Sequence, residues 1–244
     1  MGSANCGNNR LRSDEQYEKC CIEVETSMSL DKETWKHFVE VVSMHSVGTN
    51  AISKQGIKLI LEALDLTHVY NEQGNGLRTI IDHMVNDSRR PQDLMCVGLL
   101  YCDGTFSDKF EYLWYVLRSF DQDKDTVSCE VLEGICEYLI YITTYLIPSA
   151  SPNWDKSKEL RLLTSINNHC YADLSCDWLP KGNVSGQYTK EQIYRWMVID
   201  EQFTSKKARQ IAFNFAKASK ERNMRAMRPS YKKSGDKIPM ESSA

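Results

Sequence analysis

No run in this chain approaches the eighteen or so uncharged apolar residues that a membrane-spanning helix needs. The most apolar stretch, YLIYITTYLIP from Tyr138 to Pro148, is too short to cross a bilayer and reads as the buried end of a helix. The nine cysteines are odd in number and none forms a CxxC pair. That spacing argues against a disulfide framework and a structural zinc site, and for the reduced thiols of an intracellular protein. The N-terminal MGSANCGNNRLRSDEQ is polar throughout and lacks the apolar segment of a secretory signal. Chemistry-bearing motifs are also scarce. His37, His45, His68, His83 and His169 fall in no metal-binding or nucleophile pattern, and GNG at Gly74 to Gly76 is a turn, not a phosphate loop. With no paired carboxylates at a working spacing either, the expectation is a protein that is not an enzyme.

What is present suits a folded body. The chain has 244 residues, 41% hydrophobic and 26% charged, enough for one large domain or two small ones. Its net charge of −3 conceals an asymmetry. Ser205 to Lys237 holds eleven Lys and Arg against Glu221 and Asp236, leaving nineteen bases and thirty-one acids elsewhere. An acidic body thus carries a basic tail.

Helical periodicity dominates. Asp31 is placed to cap a helix in which Trp35, Phe38, Val41 and Val42 share a face, and Phe110, Leu113, Trp114, Leu117 and Phe120 form a second stripe. Core packing is the expected role of Phe110, Trp114 and Leu117. Helix, polar loop, helix recurs four times, with loops starting near His45, Asn86, Asp121 and Lys181, about 41, 35 and 60 residues apart. Strands are scarcely required; only Ile52, Val127 and Tyr188, each in the second half of a loop, invite a short β-bridge.

The third loop opens with aspartates on alternate residues, Asp121, Asp123 and Asp125, the start of a calcium cage. A twelve-residue calcium loop takes ligands from positions 1, 3, 5, 7 and 9, a turn glycine at 6 and a bidentate Glu at 12. Counted from Asp121, position 12 is Leu132. If one residue is missing after Asp125, position 12 becomes Val131, with Glu130 and Glu133 offset to either side. The fourth loop, KGNVSGQYTKEQ, keeps the turn glycine, Gly186, and the apolar Tyr188, but begins with Lys181 and ends with Gln192. The first loop offers no carboxylate, and the second has Asn86, Asp87 and Asp93 in no clear frame.

These loops, with the lead-in of Gly104, Lys109 and Phe110, resemble the EF-hand superfamily, in particular its four-hand calcineurin B-like and neuronal calcium sensor-like group. The resemblance covers roughly Asp31 to Phe203. It implies an all-α fold of two lobes, each a pair of EF-hand-like helix-loop-helix units with minimal β-bridges, plus a C-terminal basic helix. The expected divisions are a polar segment over 1–30, one pair of hands over 31–103, and a second over 104–203 with an insertion near 147–156. A basic helical tail with a disordered end follows over 204–244. The resemblance also implies a hydrophobic groove that receives a helical segment of a partner protein. With no loop complete, calcium binding is expected to be weak or vestigial at Asp121, Asp123 and Asp125, and no cofactor is required.

Gly2 is a candidate for N-myristoylation and Cys6 for a second acyl chain. In the tail, Ala208, Ile211, Ala212, Phe215 and Ala218 are assigned to one helical face, with Phe213 to the side and Arg209 among the outer charges. The first half is expected to dock on the acidic body. Lys220, Arg222, Arg225, Arg228, Lys232 and Lys233 would stay free for an anionic membrane or an acidic protein surface. Nucleic acid is not an expected partner. The expected function is a regulatory adaptor in the cytoplasm, at a membrane or on the cytoskeleton. The alternatives are a structural axonemal component and a true calcium sensor using the third hand.

Overall fold

The computed structural model describes residues 8–46, 51–87, 89–120, 125–154, 157–164, 186–200 and 204–226, with side chains omitted over 8–16, 199–200 and 219–226. The expected all-α architecture is what it shows, with one two-stranded antiparallel ribbon. Helix α1 spans Asn8–Ser27, a 3-10 turn follows at Leu30–Lys32, and α2 is Trp35–Met44. Then come α3 (Lys54–Ala63), α4 (Thr67–Asn71), α5 (Gly76–Asn86), α6 (Pro91–Tyr101) and α7 (Phe106–Phe120). Strand β1 (Thr126–Ser128) leads into α8 (Cys129–Tyr141), a π-helical segment (Ile142–Leu146) and α9 (Ile147–Ala150). After α10 (Lys158–Thr164), strand β2 (Gln187–Thr189) opens α11 (Lys190–Asp200), and α12 (Ser205–Ala226) ends the described chain.

Small polar residues start these helices by satisfying backbone N–H groups that have no partner within the helix. Thr34 Oγ1 accepts from His37 N–H, Ser53 Oγ from Gly56 N–H, and Asn75 Oδ1 from Leu77 N–H at 2.8 Å. The cap of α2 is therefore Thr34, whereas Asp31 lies within the preceding 3-10 turn. A parallel bridge from Thr34 to Asp103 ties the start of α2 to the turn after α6. Gly104 permits that approach: a Cβ there would sit 2.6 Å from Trp35 Cδ1. Trp35 in turn stacks on Tyr112 at 5.0 Å.

The buried side chains of 31–103 and of 104–203 belong to one continuous cluster. Phe110, Leu113, Trp114 and Leu117 are all within it, as expected of the α7 stripe. Among the described residues six cysteines are free: Cys20, Cys21, Cys96, Cys102, Cys129 and Cys136.

The helix containing Tyr138–Pro148 is longer than its sequence suggests. It runs on into the expected insertion as Cys129–Ala150, so residues 147–150 form its last turn. By length and composition it could cross a membrane, but 67% of its most apolar window is buried inside the protein, as in the core helix of a folded body. Pro148 explains its local shape. It cannot donate to the carbonyl of Thr144 and its ring crowds that oxygen, and Ile142–Leu146 just before this turn widen into π geometry, with Ile147 N–H bonding Ile142 O. The buried Thr143 and Thr144 hydroxyls donate back to the carbonyls of Leu139 and Ile140.

The two terminal helices flank this long helix. The segment over 1–30, given no element by its polarity, contributes α1, which buries Tyr17, Cys21 and Val24 along one face, with Met28 buried just after it. The tail helix α12 is docked, but its buried stripe is Ala208, Arg209, Ala212, Phe213 and Ala216, with Ile211 and Phe215 only partly covered. The expected face is thus rotated, and two residues assigned to the outside lie inside. Phe213 stacks on Tyr17 at 5.0 Å. Arg209 is 0% exposed and donates to Glu18 (2.6 and 3.0 Å) and to Glu25, both on α1. Burial pulls down the guanidinium pKa, but hydrogen bonds and charge from Glu18 and Glu25 outweigh this and raise it well above the ordinary arginine range.

Removing one member of a buried ion cluster leaves the others desolvated and unpaired. Arg209→Ala should therefore lower the unfolding free energy by about 3–5 kcal/mol in urea titration. The triple variant Glu18→Leu, Glu25→Leu, Arg209→Met should recover most of that loss. A change under about 1 kcal/mol in Arg209→Ala would show that the cluster does not hold the termini.

Candidate functional site

The calcium-like loops are positioned by their strands. Val127 pairs with Tyr188, Thr126 with Thr189 and Ser128 with Gln187, and both Val127 and Tyr188 are buried. This register aligns the bridge residue of the fourth loop with the third loop counted one residue short. Gly186 adopts φ +68°, the left-handed turn that glycine allows, and its carbonyl accepts from Cys129 N–H. The third expected bridge residue, Ile52, is buried and donates its backbone N–H to Arg89 O at 2.9 Å, with no strand assigned there among the described residues.

Each strand then caps the next helix. Ser128 Oγ accepts from Val131 N–H at the start of α8. Ahead of α11, Thr189 Oγ1 accepts from Gln192 N–H while Gln192 Oε1 accepts from Thr189 N–H, a reciprocal capping box. Gln192 occupies the slot where a calcium loop carries its bidentate Glu, and here that side chain serves the backbone. Val131 fills the corresponding slot on α8 and has no oxygen to offer.

Of the residues expected to bind metal, Asp125 is exposed just before β1, whereas Asp121 and Asp123 lie outside the described residues. Glu130 is exposed and Glu133 half-buried on the first turns of α8. Among the described residues no group of three or more His, Cys, Asp or Glu is arranged to hold a metal ion. Gly2 and Cys6 also lie outside the description, as do Arg228, Lys232 and Lys233. The backbone of α12 runs through Lys220, Arg222 and Arg225, whose side chains are not described.

Two concave regions stand out. The smaller, about 430 Å³, lies between the second loop and α8 and is lined by charged residues, among them Asp87, Arg89 and Glu137. Beside it His83 approaches Asp87 at 3.1 Å and Tyr141 Oη at 2.7 Å. Desolvation holds the His83 imidazole below its usual pKa; Asp87 opposes that shift and Arg89 adds to it.

The larger is an open groove of about 1240 Å³ between α2 and α7. Trp35, Val39, Ser43 and Met44 supply one wall, spaced to fall on one helical face; Glu111, Trp114, Tyr115 and Arg118 supply the other. Trp114 packs into the core and also lines the groove. Met44 is 70% exposed and Tyr115 52% exposed, large apolar groups held open to solvent at its lip. On the rim Glu111 is already paired with Lys190 at 2.6 Å. Sequence reading expects a groove but does not name these walls, because they come from segments about seventy residues apart.

Two outcomes follow. With Gln192 engaged as a cap and Val131 in the opposite slot, calorimetric titration at neutral pH should reveal no calcium site tighter than about 10⁻⁵ M. A micromolar site abolished by Asp121→Ala would reverse that conclusion. Separately, the unfolded chain protonates His83 more readily than the folded one, so stability should fall as pH drops from the ordinary histidine value of about 6.5 toward the lower folded value. Wild type should lose more melting temperature between about pH 7.5 and pH 5.5 than His83→Gln does. Parallel losses would mean that His83 is not depressed.

Compared with known proteins, the chain matches no family model, no curated protein and no solved structure.

Proposed function

We propose that this protein is a non-catalytic, EF-hand-like adaptor that receives a helical segment of a partner protein in the groove between α2 and α7. The observation that carries this reading is the groove itself, with Met44 and Tyr115 exposed at its lip. Exposed apolar surface gathered in a concave site is costly for a lone soluble protein and is characteristic of partner recognition. The ten-residue α2 is about 15 Å long, which suits an occupant of roughly three helical turns with apolar anchors at i, i+4 and i+7.

The paired loops support the EF-hand-like part of the reading. The Val127–Tyr188 register, the left-handed Gly186 and the Ser and Thr caps after each strand are the framework such loops require. Backbone hydrogen bonds and a capping glutamine hold that framework where an ion would otherwise close it. Target binding is therefore constitutive, with calcium contributing little.

A display library of helical sixteen-residue peptides, selected on the full chain, tests the groove. Selected peptides should compete with one another and bind Met44→Asp or Tyr115→Glu at least about thirtyfold more weakly, the scale of one lost interface anchor. Both residues are exposed, so the variants should melt within a few degrees of wild type. Peptides that bind all three proteins equally would place recognition elsewhere and end this reading.

A further inference from the structure

Sulfur in this protein is mostly kept away from solvent. Of the methionines whose side chains are described, Met28, Met84, Met95 and Met197 are each at most 5% exposed. Cys21, Cys96, Cys102 and Cys136 are buried too, and burial raises each thiol pKa, to about 12 for Cys21 and Cys102. These thiols stay protonated, the form that oxidants attack slowly. Cys20 and Cys129 are half-buried, and neither lines the groove. Met44 is the exception. It is the most exposed large apolar side chain among the described residues, and it stands at the last position of α2, on the lip of the groove.

That position suits a thioether and also leaves it open to attack. An unbranched side chain with a polarizable sulfur adapts to varied apolar surfaces and packs well against aromatic rings, and Trp35, Trp114 and Tyr115 line the same groove. A peroxide reaches the Met44 sulfur without any unfolding. The sulfur lone pair attacks one peroxide oxygen, the O–O bond breaks, the thioether is oxidised by two electrons to a sulfoxide, and the peroxide is reduced to water. A dithiol acting through a methionine sulfoxide reductase reverses the change: the sulfoxide oxygen leaves as water and the two thiols become a disulfide. The sulfoxide is polar and its oxygen accepts hydrogen bonds from water. Covered by an apolar anchor, that oxygen loses water and gains nothing in exchange.

Resting on the groove reading above, we propose that Met44 is a reversible oxidation site that controls docking: its thioether admits the partner helix and its sulfoxide disfavours it. The change is confined to one solvent-facing side chain at a helix end. The core methionines remain shielded, so the body keeps its fold and only the groove responds.

Hydrogen peroxide applied to the full chain tests this, with catalase to stop the reaction and dithiothreitol to reverse cysteine oxidation before binding is measured. The probe is a groove-selected helical peptide that contains neither methionine nor cysteine. Peptide mass mapping should show Met44 oxidised at least about tenfold faster than Met28, Met84, Met95 and Met197. The oxidised chain should bind the peptide at least about tenfold more weakly, with its melting temperature within a few degrees of the untreated chain, and the reductase should restore binding. In Met44→Leu, measured against its own untreated affinity, peroxide should cause no loss. Oxidation of Met44 no faster than that of the buried methionines would overturn the site. A Met44 sulfoxide that leaves affinity intact, while Met44→Asp still weakens binding, would overturn the switch and leave the groove reading standing. An equal peroxide-induced loss in Met44→Leu would overturn the assignment to Met44. Peptides indifferent to Met44→Asp would overturn both readings.

Discussion

The guanidinium of Arg209 fastens α12 to α1. It is desolvated completely and held between two carboxylates spaced seven residues apart on α1, so both face the same side of that helix. The interaction matters because of what α1 and α12 cover. The long helix of Cys129–Ala150 is apolar enough to be unstable in water by itself, and α12 lies along its π segment while α1 packs against its last turn. Without the terminal helices its apolar face would meet solvent. A buried ion cluster adds little net stability compared with a well-packed apolar contact. What it adds here is registration. Alanine-rich surfaces such as that of α12 slide easily, whereas a charge that tolerates only one position does not.

The same balance between generic and specific contacts explains which features the sequence reveals. Helix periodicity and the alternation of polar loops are local, and they place α2, α3, α5, α7 and α8. Val127 and Tyr188 are legible as bridge residues because a loop frame fixes where an apolar residue must point inward. The tail is harder. Arginine is read as an outer charge, and only the tertiary fact of Glu18 and Glu25 reverses that assignment, taking Phe213 inside with it. Helix α1 has a signal that polarity masks: Tyr17, Cys21 and Val24, followed by Met28 just past its end, recur at spacings of four, three and four among charged neighbours. The run from Ile147 misleads for another reason. Proline and serine suggest a loop there, but a helix continues through Pro148 by widening before it.

The groove illustrates a limit of another kind. No local pattern distinguishes an apolar residue that a neighbour will cover from one left open. Val39 and Met44 belong to the same stretch of α2, yet one is buried and the other is 70% exposed. That difference depends on where α7 runs, which is set by the Thr34–Asp103 bridge and by the absence of a side chain at Gly104.

The clasp between the termini also constrains the order in which the chain can be completed during synthesis. Chains generally fold from the N-terminus as they emerge, but α1 emerges first while its ionic partner lies 191 residues later, counted from Glu18 to Arg209. Until α12 is made, the carboxylates of Glu18 and Glu25 remain in water and the face bearing Tyr17 lacks the ring of Phe213. The closing contacts, this one and the stack of Phe213 on Tyr17, bridge most of the chain and are of the slowest kind to form, since the entropy of closing so large a loop must be met before they contribute anything. A nascent chain that ends between Asp200 and Arg209 would thus hold the paired strands and leave its long apolar helix partly uncovered, a species suited to chaperones. Synthesis of α12 through Phe213 is what lets the clasp close.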